Sequence, residues 1–339
     1  MPGPIKQARY RLERLALKGA AGLIPRLSRD QLHPFAAGLA RLGYACDYRG
    51  RTNAIENLDA VFGHEKTSEE IRSMAVDSFR HFVSAQLDAF WSRNLTASNY
   101  EKIVSVEFDT PAVEAEIRDS GAIWVTPHYG NFEWISLVMG FRGLRFLLIA
   151  QDFKNPLLDE FFTSNREASG HQVTGSSGAM LKLFRTLAVG GHVALLNDLC
   201  ISPKQAAVPL SQFGFFCSAT RIHAELARRT GKPLVPAIAM PREDGGHRMR
   251  MFDPIRVAPE DDPSQVAQHC WDLMEPTIAM RPEPWLWMYK HWRYLPPGDP
   301  QATRHYPPYA NTSRHFDKLF QQAGKIESPP GAKLAHDSD

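Results

Sequence analysis

Apolar positions along the first hundred residues recur at helical spacing. Leu12, Leu15, Ala16 and Leu23 alternate with Arg9, Arg11, Arg14 and Lys18, a pattern that predicts a basic amphipathic helix. Such a face either docks on the protein's own core or lies in the headgroup layer of an anionic membrane, where each Lys or Arg adds about 1 kcal/mol. Spacing alone leaves both open. A cleaner helix follows Thr67, which has Glu70 three residues on in the capping-box arrangement, with Ile71, Met74, Ala75, Phe79, Phe82 and Phe90 on or near one face. That stripe reads as core rather than ligand pocket.

After about Asn99 the period changes. Short apolar runs at Ile123–Thr126, Phe146–Ala150, Val193–Asn197 and Leu234–Met240 alternate with helical stretches around Pro111–Asp119, Asn131–Phe141, Pro156–Ser169, Ala179–Val189 and Ala219–Thr230. Strands alternating with helices predict an α/β fold, a mixed and largely buried sheet flanked by helices, preceded by an N-terminal helical region. Gly121, Gly170, Gly190, Gly191 and Gly231 stand where helices should stop, and Asp262-Pro263 predicts a further helix running towards Met280. Past Pro296 the composition turns to Pro, His, Asn, Ser and Gly, ending in Ser328-Pro-Pro-Gly, with one short helical stretch near Phe316–Gln322. Three regions result: residues 1–98, helical and basic, membrane-associating if their amphipathic face lies on lipid; 99–297, the α/β domain; and 298–339, a loosely ordered tail.

A formal charge of +2 over 339 residues argues against a strongly basic nucleic-acid binder. Its distribution is uneven. Met1 to Arg51 holds ten Lys and Arg against three acids, a net of +7, and the remainder holds 29 bases against 34 acids, a net of −5. No apolar run of about 18 residues occurs, so neither a secretory signal nor a spanning helix is expected. Cys46, Cys200, Cys217 and Cys270 match no C-x-x-C spacing and read as packing residues in a reducing compartment.

The most informative stretch is Thr126-Pro-His-Tyr-Gly-Asn-Phe-Glu-Trp134, between a predicted strand and a predicted helix. In open α/β sheets the carboxyl ends of strands face the ligand crevice. His128 and Glu133 have the spacing H-x-x-x-x-E, which lets a carboxylate one turn into the helix reach the imidazole in the loop before it. Such a carboxylate fixes the tautomer and leaves the other ring nitrogen free to take a proton from a substrate hydroxyl. Gly130 permits a tight turn and close substrate approach, and Asn131 shapes that turn through its amide. A zinc site would need a third ligand as in H-E-x-x-H, a serine hydrolase G-x-S-x-G, and a nucleotide cofactor G-x-G-x-x-G or a Walker loop. None of these patterns is present, so no metal and no cofactor is expected.

These residues resemble the lipid A biosynthesis (late) acyltransferase family, within the lysophospholipid acyltransferase-like superfamily. The likeness begins at Arg51-Thr-Asn-Ala-Ile-Glu-Asn-Leu-Asp-Ala-Val-Phe62, similar to an N-L-x-x-x-F element, and continues through His128 and Glu133 to Asn165-Arg166-Glu-Ala-Ser-Gly170, similar to R-x-x-x-G. Leu195-Leu-Asn-Asp198 falls where a D-Q pair ends a strand, Gln212-Phe-Gly214 resembles an F-F-G turn, and Ala224 to Pro236 resembles L-A-x-x-T-G-x-P-V-V-P. Trp285-Leu-Trp-Met-Tyr-Lys-His-Trp-Arg293 resembles the closing W-x-W-x-H-x-R segment, so that about residues 8 to 297 are covered in order.

The resemblance implies a glycerolipid acyltransferase-like fold and a peripheral membrane O-acyltransferase. It would move a fatty acyl chain from acyl carrier protein or acyl-CoA to a hydroxyl of a glycolipid, a lipid A precursor above all. His128 is then the general base and Glu133 its partner, with Arg166 as oxyanion stabiliser or phosphate clamp and Asp198 holding Arg166. Residues 99–297 become the catalytic domain, and the expected location is the cytoplasmic face of the inner membrane, without a spanning helix. Partners are the acyl donor, the glycolipid and the membrane surface, with no nucleic acid. An acyl chain gains about 0.8 kcal/mol per buried CH₂, so its site should be an apolar groove opening to the bilayer. Arg142, Arg145 and Lys154 lie near the motif helix, and Trp134, Trp285, Trp287, Tyr289 and Trp292 either pack or mark an interfacial surface. Leu199 in place of Gln, Gln212 in place of an aromatic, and Phe215-Phe-Cys-Ser-Ala-Thr220 without the family's proline depart from the pattern. They point to an altered pocket, and motivate the alternative of a catalytically inactive lipid-binding homologue.

Overall fold

A computed structural model describes residues 4–149, 163, 166–167, 169–175, 178–298 and 305–323. Lys154, Asn165, most of the predicted 156–169 helix and the terminal Ser328-Pro-Pro-Gly lie outside the described residues.

Four helices open the chain: α1 (Pro4–Leu23), α2 (Arg29–Cys46), α3 (Tyr48–Phe62) and α4 (Ser68–Trp91). Both α2 and α4 start on complete capping boxes, Ser28 with Gln31 and Thr67 with Glu70, so their orphan N–H groups are satisfied by side chains close in sequence. Then follow β1 (Val104–Phe108), α5 (Ala112–Ser120), β2 (Ile123–Thr126), α6 (Glu133–Phe141), β3 (Phe146–Ile149), β4 (Gln172–Thr174), α7 (Ala179–Ala188) and β5 (His192–Leu196). The remainder comprises β6 (Ala207–Gln212), β7 (Phe215–Thr220), α8 (Ile222–Thr230), β8 (Leu234–Pro241), β9 (His247–Met251), α9 (Pro263–Met280) and α10 (Arg314–Gln322).

Seven strands form one sheet in the order β1-β9-β8-β2-β5-β3-β4. All its pairings are parallel except β8 with β9, so the sheet is mixed, as the alternating pattern predicts. β2 is buried on both faces. Trp124 joins a core with Leu87 and Trp91 of α4 and Trp134 and Val138 of α6, while Ile123 and Val125 face Leu183 and Leu187 of α7 and Ala224 and Ala227 of α8. The N-terminal helices therefore share a core with the sheet across residues 98 and 99.

A hairpin of β6 and β7 stands apart from the sheet. Its turn is Phe213-Gly214, both at positive φ, and the Phe213 N–H donates to Glu275 at 2.6 Å. The predicted helix from Ala219 starts only at Ile222, because Ala219 and Thr220 pair within the hairpin. In the C-terminal segment residues 305–323 are packed rather than loose: Phe316 of α10 is fully buried, and Phe320 meets Phe216 of β7 edge-on at 4.9 Å. A tail read from composition alone misses this anchor, since a single well-placed aromatic decides whether a short polar helix docks.

Among the described residues no helix is long and apolar enough to cross a membrane. Leu12, Leu15 and Leu23 of α1 are exposed, as are Phe35, Leu39 and Leu42 of α2, spaced four and three residues apart.

Candidate active site

β2 and β5 lie side by side and parallel, with Val125 opposite Leu195 and Thr126 opposite Leu196. Two residues past the end of each strand the same register brings His128 to Asp198. The imidazole Nδ1 lies 2.8 Å from Asp198 Oδ1, and the His128 main-chain N–H donates to Asp198 Oδ2 at 2.9 Å. Trp285 adds a third bond, its indole N–H donating to Oδ2 at 2.8 Å. Asp198 is fully buried. Burial pushes its carboxyl pKa up, but the attraction and hydrogen bonds of His128, helped by His291, outweigh that and hold it below the ordinary value. An ionised carboxylate only accepts, so in the neutral imidazole the proton sits on His128 Nδ1 and the lone pair on Nε2. The His128 side chain is 16% exposed, and Nε2 bonds to no described residue.

Glu133, the first residue of α6, is instead gripped by Arg166, whose Nε and Nη2 donate at 3.0 and 2.5 Å to its two oxygens. Burial works against the Arg166 charge, and Glu133 more than offsets it, raising the pKa. The partners expected from sequence are thus exchanged: His128 pairs with Asp198 and Arg166 with Glu133, where the spacing suggested His128 with Glu133 and Arg166 with Asp198. Strand register is the reason, since it delivers Asp198 to the imidazole before any helix residue reaches it. A cavity of about 40 Å³ lies beside the second pair, lined also by Ser136, Leu137 and His171.

Gly130 and Asn131 complete the loop. Gly130 has a φ of +55°, and a Cβ there would stand 2.1 Å from the Ala239 carbonyl oxygen of β8, so only glycine lets the loop cross that strand. Asn131 Oδ1 accepts from the Trp134 N–H at 3.3 Å, and its amide donates to Asp88 of α4 at 3.0 Å. Phe132 packs edge-on against the His128 ring at 4.8 Å.

Trp285 and Gln212, which the sequence marks only as a packing or interfacial aromatic and as a departure from the family pattern, both bond to Asp198. Gln212 donates to the Asp198 carbonyl at 3.0 Å, so a position read as a departure fixes the main chain that carries Asp198. Trp285 is buried in an aromatic box, stacked on His291 at 3.9 Å with Trp287 at 4.7 Å and Phe213 at 5.4 Å. Trp134, Trp285, Trp287 and Trp292 are all buried, so these four pack rather than face an interface. Asn57 of α3 pins the box by donating to the carbonyls of Trp287 and Tyr289, each at 2.7 Å, and Ser78 of α4 donates to that of Trp285 at 2.9 Å. The Asn57-Leu58 and Trp285-to-Arg293 motifs, far apart in sequence, are one structural unit.

His291 and three further buried imidazoles give this architecture a pH signature. Burial pushes the pKa of His291, His247 and His223 down to about 4 and that of His81 to about 3, from 6.5. Between those values and 6.5 the unfolded chain binds more protons than the folded one, so stability falls as pH falls. Each such group adds a slope of up to about 1.4 kcal/mol per pH unit. The melting temperature by scanning calorimetry should therefore drop between about pH 7 and about pH 5, before the Asp198 stabilisation is lost at still lower pH. A flat or rising melting temperature over that window contradicts neutral buried imidazoles.

Residues 13–294 match the family described as bacterial lipid A biosynthesis acyltransferase. The lipid A biosynthesis lauroyltransferase of Escherichia coli (strain K12) is 25% identical over 301 residues, covering 86% of this chain and 94% of that protein. Among solved structures, the 1-acyl-sn-glycerophosphate acyltransferase PlsC from Thermotoga maritima aligns at 14% identity with a TM-score of 0.35, over 76% of this chain and 99% of the other.

Proposed function

Because this chain belongs to the bacterial lipid A biosynthesis acyltransferase family, and is accordingly an acyltransferase, we propose that it moves a fatty acyl chain from a thioester of acyl carrier protein or coenzyme A to a hydroxyl of a lipid A-like glycolipid. The reading is carried by the 2.8 Å contact between His128 and a buried Asp198 at the carboxyl edge of parallel strands. His128 Nε2 takes the acceptor hydroxyl proton as that oxygen attacks the thioester carbonyl. A C–O bond forms and the carbonyl oxygen becomes an oxyanion. Its collapse breaks the C–S bond, and the imidazolium returns the proton to the leaving thiolate. Products are an ester and a free thiol. Arg166, steadied by Glu133 of α6, is the cation we assign to the oxyanion charge. Glu133 then acts through Arg166, and Asp198 is the positioning carboxylate for His128.

The basic first 51 residues and the exposed Leu12, Leu15, Phe35, Leu39 and Leu42 support peripheral attachment to anionic lipid at the cytoplasmic face of the inner membrane. The test is reconstitution on phosphatidylglycerol vesicles with acyl-carrier-protein or coenzyme A thioesters, with and without glycolipid, followed by mass spectrometry. The expected result is an acceptor heavier by one acyl group in place of one hydrogen, thioester cleavage accelerated by acceptor, and vesicle binding that weakens with salt. Equal cleavage without acceptor indicates a thioesterase, and no acyl gain from any thioester indicates a lipid-binding protein; either result overturns the proposal.

A further inference from the structure

Behind the Gly130-Asn131 turn, between α2, α4 and the loop joining β8 to β9, lies a cavity of about 290 Å³. Four guanidinium groups line it, those of Arg29, Arg80, Arg242 and Arg281, against the carboxylates of Asp88 and Glu243. Its volume is near the lower end of small-ligand sites, about 300 to 1,000 Å³, and its wall is too polar for an acyl chain. We propose that this cavity binds the phosphate group of an amphipathic substrate, an inference that rests on the transferase reading above.

The charges of the wall are not spent equally within the protein. Arg29 is committed, bonded to Asp88 and, at 2.5 Å, to the Gly245 carbonyl, with its guanidinium over Trp91 and Trp134. Arg242 forms a fork with Asp244 in its own loop. Arg80 forms an ion pair through Nε with Asp77 and its Nη2 reaches His81 Nε2 at 3.4 Å, while Arg281 donates only to the Pro241 carbonyl, with no carboxylate partner among the described residues. Arg281 is therefore the group whose charge meets no carboxylate among the described residues, Arg80 keeps guanidinium N–H donors beyond its bond to Asp77, and guanidinium forks match phosphate oxygens bidentately.

Two imidazoles in the wall register this field. Burial first, then Arg80 and Arg281, depress the His81 pKa; burial, then Arg29 and Arg242 against the pull of Asp88, depress that of His247. His247 is buried, and its Nδ1 has no hydrogen-bond partner among the described residues. A phosphate supplies a negative charge for Arg281 and acceptor oxygens for the guanidinium N–H groups that the protein leaves unused. Phe35 and Leu39 of α2 and Phe82 of α4 are exposed on the two helices that form one side of the cavity, the arrangement an amphiphile with a phosphorylated head requires. The phosphate has two chemical sources, a sugar phosphate of the acceptor or the phosphopantetheine end of the donor.

Calorimetric titration of the full chain with glucosamine 1-phosphate, coenzyme A and unphosphorylated glucosamine separates them. At low salt one or both phosphate probes should bind, with glucosamine 1-phosphate binding assigning the site to the acceptor and coenzyme A binding to the donor. Glucosamine should not bind. The double variant Arg80→Gln/Arg281→Gln should weaken phosphate binding about tenfold or more, and Glu243→Gln, which removes a carboxylate from the wall, should tighten it about threefold, a gain that misfolding does not produce. Failure of both phosphate probes, equal binding of glucosamine, or unchanged binding in the double variant overturns the proposal. His128→Ala should bind the probes as wild type does, so a failed transfer mechanism and a failed phosphate site remain distinguishable.

Discussion

Replacing His128 with Ala is expected to lower acyl transfer by about 10² to 10⁴ while the protein remains folded, the usual contribution of a general base. The side chain is only 16% exposed, yet its loss leaves Asp198 with two of its three donors, the residue-128 main-chain N–H and the Trp285 indole. The stability cost should be that of one charge-assisted hydrogen bond, about 1.5 to 3 kcal/mol. Because the base acts on a proton in flight, the loss should fall on kcat and leave KM for the acceptor nearly unchanged. Turnover with each thioester, measured beside the melting temperature and far-ultraviolet dichroism, checks both parts. A folded His128→Ala protein that turns over at the wild-type rate removes the imidazole from the chemistry.

The contrast between what local sequence reveals and what it hides is sharp at this site. β2 spans the predicted Ile123–Thr126, α9 starts at Pro263 behind Asp262 and ends at Met280, and the Thr67 capping box opens α4, because each is set by neighbours within a few residues. The weaker elements were not legible. β9 alternates buried His247, Met249 and Met251 with arginines, a five-residue run without β-branched side chains, and the Gln212-Phe-Gly214 turn does not by itself announce strands on both sides. His128, Gly130 and Asn131 stood out because a strand, a turn and a helix start meet there. The partner of His128 did not, since Asp198 is 70 residues away and Trp285 lies 87 residues beyond that. Only the order of strands brings the first to the imidazole, and only the aromatic box brings the second. Sequence spacing can place a carboxylate within reach of a ring; it cannot rank it against one delivered by the adjacent strand.

That ranking predicts that Asp198→Asn damages catalysis more than Glu133→Gln. Asp198 meets three donors, the His128 Nδ1–H, the His128 main-chain N–H and the Trp285 indole N–H. An asparagine has one acceptor oxygen, and its NH₂ must face one of those donors. The main-chain and indole N–H groups cannot exchange their role, whereas the imidazole can. It therefore moves its proton to Nε2, where the lone pair was needed, and the rate should fall by about 10⁴, the magnitude a wrong tautomer causes in a triad. Glu133→Gln keeps an acceptor for Arg166 and does not touch the imidazole, so its cost should be about tenfold to a hundredfold. Nitrogen-15 chemical shifts of the His128 ring provide a readout independent of rate, with the proton on Nδ1 in the wild type and in Glu133→Gln and on Nε2 in Asp198→Asn. If Glu133→Gln moves the proton and Asp198→Asn does not, the helix carboxylate orients the base after all and the pairing by strand register is not the one used in turnover.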